Sequence, residues 1–283
     1  MSKPKISVVL PILHKNEDHL HMTWQCLQQL RWKPGCDDIE VIIVETESAM
    51  LEPHKDSPIL DIDKYIHIDK RTRYTTDFNI GCDAAEGDFI VHIGNDVLLR
   101  EGWANALLRP FELFPDCGVT TLAVVERKTE VHAERCIGPG EPLEFIVEGM
   151  YGPIMMFRKG WLLDEDYIGA ASDNDLVMRM YEDGLRAYRN CAVVVEHLDN
   201  QTWKDIPDDA NMDEGIALFE ERWKGSPWLI YHLMRKGLVM YGQEHVGMGI
   251  KGYENLKLAV NIPADALEQR IKEQRIKEQE VRT

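Results

Sequence analysis

The segment DFIVHIGNDV, Asp88–Val97, joins a short apolar run to a polar turn. Phe89–Ile93 is rich in β-branched residues, which predicts a buried strand with Asn95 and Asp96 just beyond its carboxyl end. In open α/β sheets, ligands bind beyond the carboxyl ends of the strands. A carboxylate there suits a divalent cation, Mg²⁺ or Mn²⁺, that holds phosphate oxygens. The alternative is a plain turn, for which Asn and Asp are both favoured.

The elements around this segment predict a sheet with helices between its strands. Lys5–Leu10, which is followed by Pro11, and Glu40–Val44 are compact apolar runs, and Glu17–Leu30 between them has helical spacing. This order is a βαβ unit, the start of a Rossmann-like nucleotide-binding half. The other predicted strands are Lys64–Ile68, Val119–Val125, Met150–Phe157 with a bulge at Gly152-Pro153, and Ala192–Val195, and the other predicted helices are Thr75–Ala85, Trp103–Phe114, Leu176–Tyr181, Met212–Trp223 and Trp228–Lys236.

Length and charge limit the function classes. A chain of 283 residues has room for one large α/β domain with a helical appendage. The formal net charge of −17 argues against a broad surface for polyanions, which would show a basic excess. It fits a protein that meets nucleotide phosphates through a metal ion rather than through many Lys and Arg side chains.

The spacing of the cysteines and the hydropathy of the chain predict the cellular compartment of the protein. The 6 cysteines are scattered without a CxxC pair, so free thiols in a reducing cytoplasm are expected. The N-terminal segment has no apolar region followed by a small-residue cleavage site, and no apolar run approaches the length that crosses a bilayer. The sequence therefore predicts a soluble, cytoplasmic protein without an integral membrane segment.

Several segments together resemble the family 2 glycosyltransferases with the GT-A fold. ISVVLPIL resembles the opening strand of that family, although the following turn lacks its Tyr. VIIVETES resembles the Val-Asp-Asp-Gly-Ser segment at Glu45 and Ser48. DFNIGCDAAEGDFIVHIGND matches at Asn79 and at Asp96, the last acid of the metal motif, while Gly94 replaces the first acid.

Two later segments continue the resemblance. SDNDLVMRMYEDG resembles the Glu-Asp-x-Asp-Leu block at Asp173 and Asp175, with Ser172 in place of the first acid. FEERWKG, which begins at Phe219, resembles a Phe-x-x-(Lys/Arg)-Trp-Gly element of some members. The resemblance covers about residues 5–225.

The resemblance implies a fold and a division of the chain. The fold is α/β, a mostly parallel GT-A sheet flanked by helices, with a C-terminal helical extension. Residues 1–200 form the catalytic domain, with a nucleotide-binding half to about residue 97 and an acceptor half from residue 98. Residues 201–283 form the extension and end in a charged tail with the repeat RIKEQ.

The implied activity is metal-dependent, inverting transfer of a sugar from a nucleotide-sugar donor, a UDP-sugar by analogy, to an acceptor hydroxyl. Asp96 and His197 would be ligands of Mn²⁺ or Mg²⁺. Asp173 would be the general base, the alternative being a helix N-cap, since Ser, Asp and Asn all cap well. The residues implied in binding the nucleotide are Pro11, Glu45, Ser48, Asn79 and Asn95.

The sequence leaves two other functions and the identity of the acceptor open. A catalytically inactive binding module on the same fold is favoured by the departures at Gly94 and Ser172, and disfavoured by the retention of Asp96 and Asp173. A sugar nucleotidyltransferase would need a Gly-rich basic loop after the first strand, which Leu13–Asn16 does not offer. The acceptor is open among a glycan, a lipid-linked sugar, a protein and a modified nucleobase, and so is the formation of a homo-oligomer.

Overall fold

A computed structural model describes residues 6–32, 34–36, 38–126, 146–148, 152–198, 212–226 and 228–229. The strands are β1 (Ile6–Ile12), β2 (Ile39–Thr46), β3 (Lys64–Ile68), β4 (Phe89–Ile93), β5 (Val97–Leu98), β6 (Cys117–Glu126), β7 (Ile146–Glu148), β8 (Ile154–Arg158) and β9 (Arg186–His197). The helices are α1 (Glu17–Leu30), α2 (Tyr74–Ala84), α3 (Trp103–Leu113), α4 (Ser172–Glu182) and α5 (Met212–Trp223).

The strands of the described residues form one sheet in the order β3-β2-β1-β4-β8-β6-β9-β5, with β7 paired to β9. The first four strands are parallel, and so are β6 and β9. β8 runs antiparallel to both β4 and β6, and β9 runs antiparallel to β5 and β7. The predicted α/β fold is confirmed, and the parallel strands β1–β4 lie within the residues predicted as the nucleotide-binding half. The predicted boundaries near residues 97 and 200 stay predictions.

Apolar side chains cover both faces of the sheet. On one face Leu10 packs in a core that includes Leu27 of α1 and Trp103 of α3. On the other face Val9 belongs to a core with Phe78 of α2 and Val177 of α4. Burial on both faces explains why the parallel strands appear in the sequence as continuous apolar runs rather than alternating ones.

Helix α1 has the bounds that the sequence predicts. Its N-cap Asn16 accepts a hydrogen bond from the His19 backbone N–H at 3.0 Å, and Glu17 and Asp18 occupy the first turn. Both features stabilise a helix N-terminus, the first by satisfying a free N–H and the second through the helix dipole. The cap therefore fixes where the chain leaves the β1 loop and enters the helix.

Two strand boundaries differ from the prediction around proline. β1 continues through Pro11 to Ile12, because its pairing with β4 ends at Val9 and the missing N–H of Pro11 interrupts no bond on that side. The predicted bulge at Gly152-Pro153 is a turn ahead of β8, which begins at Ile154. The carbonyl of Pro153 accepts the Gly94 N–H at 3.1 Å and ties this turn to the end of β4.

The last strand is longer than predicted. β9 begins at Arg186 and ends at His197, whereas the sequence predicts only Ala192–Val195. Its first half carries Arg and Asn side chains, and its register with β6 shifts between Leu122 and Ala123, so no clean apolar pattern marks it. The short strands β5 and β7 are not predicted either. The extension of β9 brings His197 to the edge where β4 ends.

Little of the C-terminal extension falls within the described residues. Helix α5 has the predicted bounds, while most of the predicted helix Trp228–Lys236 and all of the charged tail lie outside them. Among the described residues, no helix combines the length and the apolar content needed to cross a lipid bilayer.

Glu40 joins four segments at the edge of the sheet opposite the carboxyl strand ends. Its carboxylate accepts from Ser7 Oγ at 2.5 Å and from the Glu86 N–H at 2.9 Å, and it pairs with Lys64 at 2.8 Å. Burial raises its pKa, but these partners outweigh burial and lower the pKa to about 2.

We expect Glu40→Gln to reduce the free energy of unfolding by about 3 kcal/mol at pH 7. The folded-state pKa lies below the unfolded value, so this contribution is complete above about pH 4.5 and is lost as the pH falls toward about 2. Urea unfolding of both proteins at several pH values measures it. Glu86→Gln removes the exposed carboxylate that also pairs with Lys64, and it should lower the free energy of unfolding by less than about 1 kcal/mol. Equal losses in the two variants would contradict the assignment.

Candidate active site

Asp96 and His197 meet at the carboxyl ends of β4 and β9. The Val97 N–H donates to the Gly94 carbonyl at 3.2 Å and closes the turn after β4, and Val97 then pairs with His197. The Leu198 N–H donates to the Asp96 carbonyl at 2.9 Å. As a result Asp96 Oδ2 lies 3.3 Å from His197 Nε2, with both side chains buried.

This pair fits a divalent cation. Neighbouring ligand atoms around an octahedral ion at about 2.1 Å are separated by about 3.0 Å, close to the distance between these two atoms. A carboxylate oxygen with an imidazole nitrogen suits Mn²⁺. The part of the chain that the structure describes holds no cluster of three or more His, Cys, Asp or Glu side chains. Within that part, most positions around an ion would therefore be left to phosphate oxygens and water.

Gly94 leaves the space that the Asp96 carboxylate occupies. A Cβ atom at this position would lie 2.7 Å from Asp96 Oδ1. The position corresponds to the first acid of the family metal motif described above. Glycine at this position leaves room for the carboxylate of the second acid, Asp96. The departure noted in the sequence is thus linked to the placement of Asp96.

Asp173 lies in the first turn of α4 and does not cap the helix. The N-cap is Ala171, in the left-handed region at φ 70°, and it makes no side-chain capping bond. The Asp173 carboxylate instead packs on the backbone of Gly152, where an added Cβ would approach Oδ2 to 2.6 Å. Glycine at position 152 therefore leaves room for this carboxylate beside the turn before β8.

Tyr74 and His92 form a neutral pair that the sequence analysis does not identify. The Tyr74 hydroxyl and His92 Nε2 share a hydrogen bond. Burial lowers the pKa of His92 to about 4, although the Asp173 carboxylate acts in the opposite direction. Burial, together with the charges of Asp173 and Asp96, raises the pKa of Tyr74. A histidine inside the apolar run FIVHI was the available signal, because a polar residue in a buried strand needs a partner.

The residues predicted to contact the nucleotide have other partners in the structure. Glu45 is fully buried and accepts the Ser48 hydroxyl at 2.9 Å. Asn95 donates to the Thr23 hydroxyl at 3.0 Å. Pro11 lies within β1, opposite Val44. Their roles toward a nucleotide stay predictions.

Asn79 holds the segment ahead of α4. Its side-chain amide donates to the Leu163 carbonyl at 2.9 Å, and its carbonyl oxygen accepts the Leu163 N–H at 3.0 Å. The NH2 group and the oxygen of the Asn79 amide thus both bind the backbone of Leu163, which lies 84 residues later in the chain. Asn79 joins α2 to the segment that leads to Asp173, and its predicted nucleotide contact is untested.

Asp175 binds helix α5 to helix α4. Its buried carboxylate pairs at 2.8 Å with Arg179, four residues later in the same helix. It also pairs with Arg222 at 3.2 Å and accepts from Trp223 Nε1 at 3.0 Å. The Arg-Trp dipeptide of FEERWKG therefore fixes the helix that carries Asp173.

Comparison with solved structures relates this arrangement to glycosyltransferases. The mannosyltransferase PcManGT from Pyrobaculum calidifontis, solved in complex with GDP-Man and Mn²⁺, is 17% identical and has a TM-score of 0.51, over 81% of this chain and 72% of that chain. TarS of S. aureus is 14% identical and has a TM-score of 0.53, over 78% of this chain and 40% of TarS. At these identities the likeness shows the fold alone.

Comparison of sequences gives the family. A search of curated proteins found no match. The model of glycosyl transferase family 2 matches residues 7–164, a span that includes β1–β4, the Asn95-Asp96 turn and β8. That span is more than half of the 283 residues. The chain belongs to glycosyl transferase family 2 and is a glycosyltransferase with the GT-A fold.

Proposed function

We infer that the protein is a metal-dependent, inverting glycosyltransferase that moves a sugar from a nucleotide-sugar donor to an acceptor hydroxyl. The observation that carries this proposal is the contact between Asp96 and His197 at the strand ends. Asp173, in the first turn of α4, shares with Asp96 the neighbour Tyr74, on whose pKa both charges act. A UDP-sugar is the first donor to test, by analogy with the family. The GDP-Man in the PcManGT complex makes a GDP-sugar the second.

Asp96 and His197 would hold the cation through the two atoms that face each other. When bound, the cation would neutralise charge on the diphosphate leaving group. The protein itself supplies a buried, preorganised pair, so few side-chain rearrangements are needed when the donor enters.

Asp173 is the proposed general base. Its carboxylate takes the proton of the acceptor hydroxyl while the hydroxyl oxygen bonds to the anomeric carbon and the bond from that carbon to the diphosphate oxygen breaks. A single displacement of this kind inverts the anomeric configuration. The adjacent Tyr74 and His92 are neutral, so they add no positive charge that would weaken the base.

The proposal is tested by thermal unfolding with UDP, GDP, CDP and dTDP, each with and without Mn²⁺. We expect one nucleotide to raise the melting temperature by several degrees only when Mn²⁺ is present. Turnover of the matching nucleotide-sugar should follow the same metal dependence. A nucleotide that binds without any turnover would favour the inactive binding module, and equal shifts without metal would overturn the metal dependence.

Gly94→Ala offers a test of the space beside Asp96. The added methyl group displaces the Asp96 carboxylate, which is the end of a movable side chain, so the fold should keep its melting temperature within about 2 °C. The Mn²⁺ concentration that gives half of the nucleotide-dependent thermal shift should rise about tenfold or more. An unchanged Mn²⁺ requirement would show that the position of this carboxylate is unimportant for the metal.

A further inference from the structure

We propose that His14, Thr23 and Glu45 are positioning residues that hold Asn95, and with it the turn that carries Asp96, in place at the donor site. The three side chains are joined by hydrogen bonds in the interior of the protein and end on Asn95. We call this set the His14 chain. The inference rests on the proposed function, because it assigns these residues to the donor and metal site.

Glu45 forms the inner end of the His14 chain. It lies near the carboxyl end of β2, and its side chain is completely buried. Burial raises its pKa, but the hydrogen bonds from His14 and Tyr65 outweigh burial and hold the pKa below its ordinary value. Its carboxylate accepts from His14 Nδ1 at 2.7 Å, Tyr65 Oη at 2.6 Å, Ser48 Oγ at 2.9 Å, Met50 N at 3.1 Å and Leu51 N at 3.2 Å.

With these partners, the Glu45 carboxylate serves the protein rather than a nucleotide. Each oxygen already accepts at least two hydrogen bonds, and the side chain has no exposed surface for a base or a ribose. A carboxylate in the interior must be satisfied by hydrogen bonds. His14 supplies one of the shortest of them, at 2.7 Å.

Thr23 stands between His14 and Asn95. Its hydroxyl lies 2.9 Å from His14 Nε2 and 3.2 Å from the His19 carbonyl one turn earlier, a common contact of helical threonine. A hydroxyl has one proton to donate and two lone pairs, so it can bond to the ring and still accept the Asn95 amide. His14 Nδ1 faces the Glu45 carboxylate, which only accepts, so this nitrogen donates.

Asn95 is the outer end of the His14 chain. Its side-chain amide donates to the Thr23 hydroxyl, which is also hydrogen-bonded to His14 Nε2. The chain connects the loop after β1, the end of β2, helix α1 and the turn after β4. Asn95 directly precedes Asp96, so the rotamer fixed by Thr23 also fixes the backbone that presents the metal ligand.

Thr23→Val tests this role with little change of shape. It removes the hydroxyl that joins His14 to Asn95, so the KM for the donor and the Mn²⁺ requirement should each rise about tenfold or more with a smaller change in kcat. Asn95→Ala should do the same, and the double variant should match the more affected single variant rather than multiply the two effects. Thr75→Val is the matched control, because Thr75 is also a buried helical threonine and its hydroxyl has no hydrogen-bond partner among the described residues.

The metal-free protein provides a second readout. His14→Gln removes the closest ring donor of the buried Glu45 carboxylate and should lower the melting temperature, while His14→Gln with Glu45→Gln should recover much of the loss. The inference would be wrong if the double variant showed the product of the two single effects on the donor KM, or if Thr23→Val left the donor KM unchanged. Either result would leave the proposed function standing. A wild-type protein that binds no nucleotide with Mn²⁺ would overturn the inference together with the proposed function.

Discussion

Asp96→Ala is expected to abolish the metal-dependent thermal shift with nucleotide and to lower sugar transfer at least about a thousandfold. The variant removes the carboxylate that faces His197 Nε2 at 3.3 Å and leaves one predicted protein ligand of the pair. Neutralising the charge of a departing diphosphate contributes several kcal/mol to such a reaction, and each 1.36 kcal/mol is about tenfold in rate. Nucleotide-dependent unfolding with and without Mn²⁺, beside a transfer assay, measures both losses.

The matched control for this variant is Asp88→Ala. Asp88 immediately precedes the same strand, but its side chain is exposed. We expect the control to keep both the thermal shift and the transfer rate. Retained Mn²⁺-dependent binding in Asp96→Ala would remove this carboxylate from the metal site and would contradict the proposed function.

Asp173→Asn should lower kcat by about a hundredfold to ten-thousandfold and leave the metal-dependent binding of nucleotide in place. The amide keeps the size of the side chain beside Gly152 but takes up no proton from an acceptor hydroxyl. Steady-state kinetics with saturating donor measure the loss, and the nucleotide-dependent thermal shift shows that the donor site is intact. The split between binding and turnover distinguishes this variant from Asp96→Ala.

Asp183→Asn is the comparison for Asp173→Asn, since Asp183 is exposed at the far end of the same helix. It should leave both properties unchanged. An unchanged kcat in Asp173→Asn would mean that another residue is the base. If the variant lost nucleotide binding as well as kcat, Asp173 would belong to the donor site.

Local patterns in the sequence predicted much of the fold. The bounds of α1, β3, β4 and α5 were predicted in full. In α1, β4 and α5 an apolar periodicity or a compact β-branched run ends at a polar signal, whereas β3 alternates only weakly in the sequence. The extent of β9 was not predicted. Its pairing with β5 and β7 depends on hydrogen bonds to distant segments, and its first half lacks an apolar pattern.

The sequence predicts the charged residues of the candidate site, whose roles stay predictions, but not the residues that hold them in place. Asp96, His197 and Asp173 are predicted from the resemblance to the family and from their places at the end of a strand or the start of a helix. The pairing of His14 with Glu45 spans 31 residues, and that of Tyr74 with His92 spans 18. Contacts at such separations depend on how strands and helices are placed in space, which no local pattern specifies.

The bond of Asp175 to Arg222 and Trp223 has a consequence for how this protein tolerates sequence change. Asp175 lies two residues from the proposed base, and its two partners in α5 lie 47 and 48 residues further along the chain. Loss of Asp175 leaves the buried Trp223 N–H without this acceptor, and loss of Arg222 leaves the buried Asp175 carboxylate with Arg179 as its charge partner, so a change in one segment alone is destabilising. Related chains that change position 175 should therefore also change position 222, and the two segments should diverge as a unit.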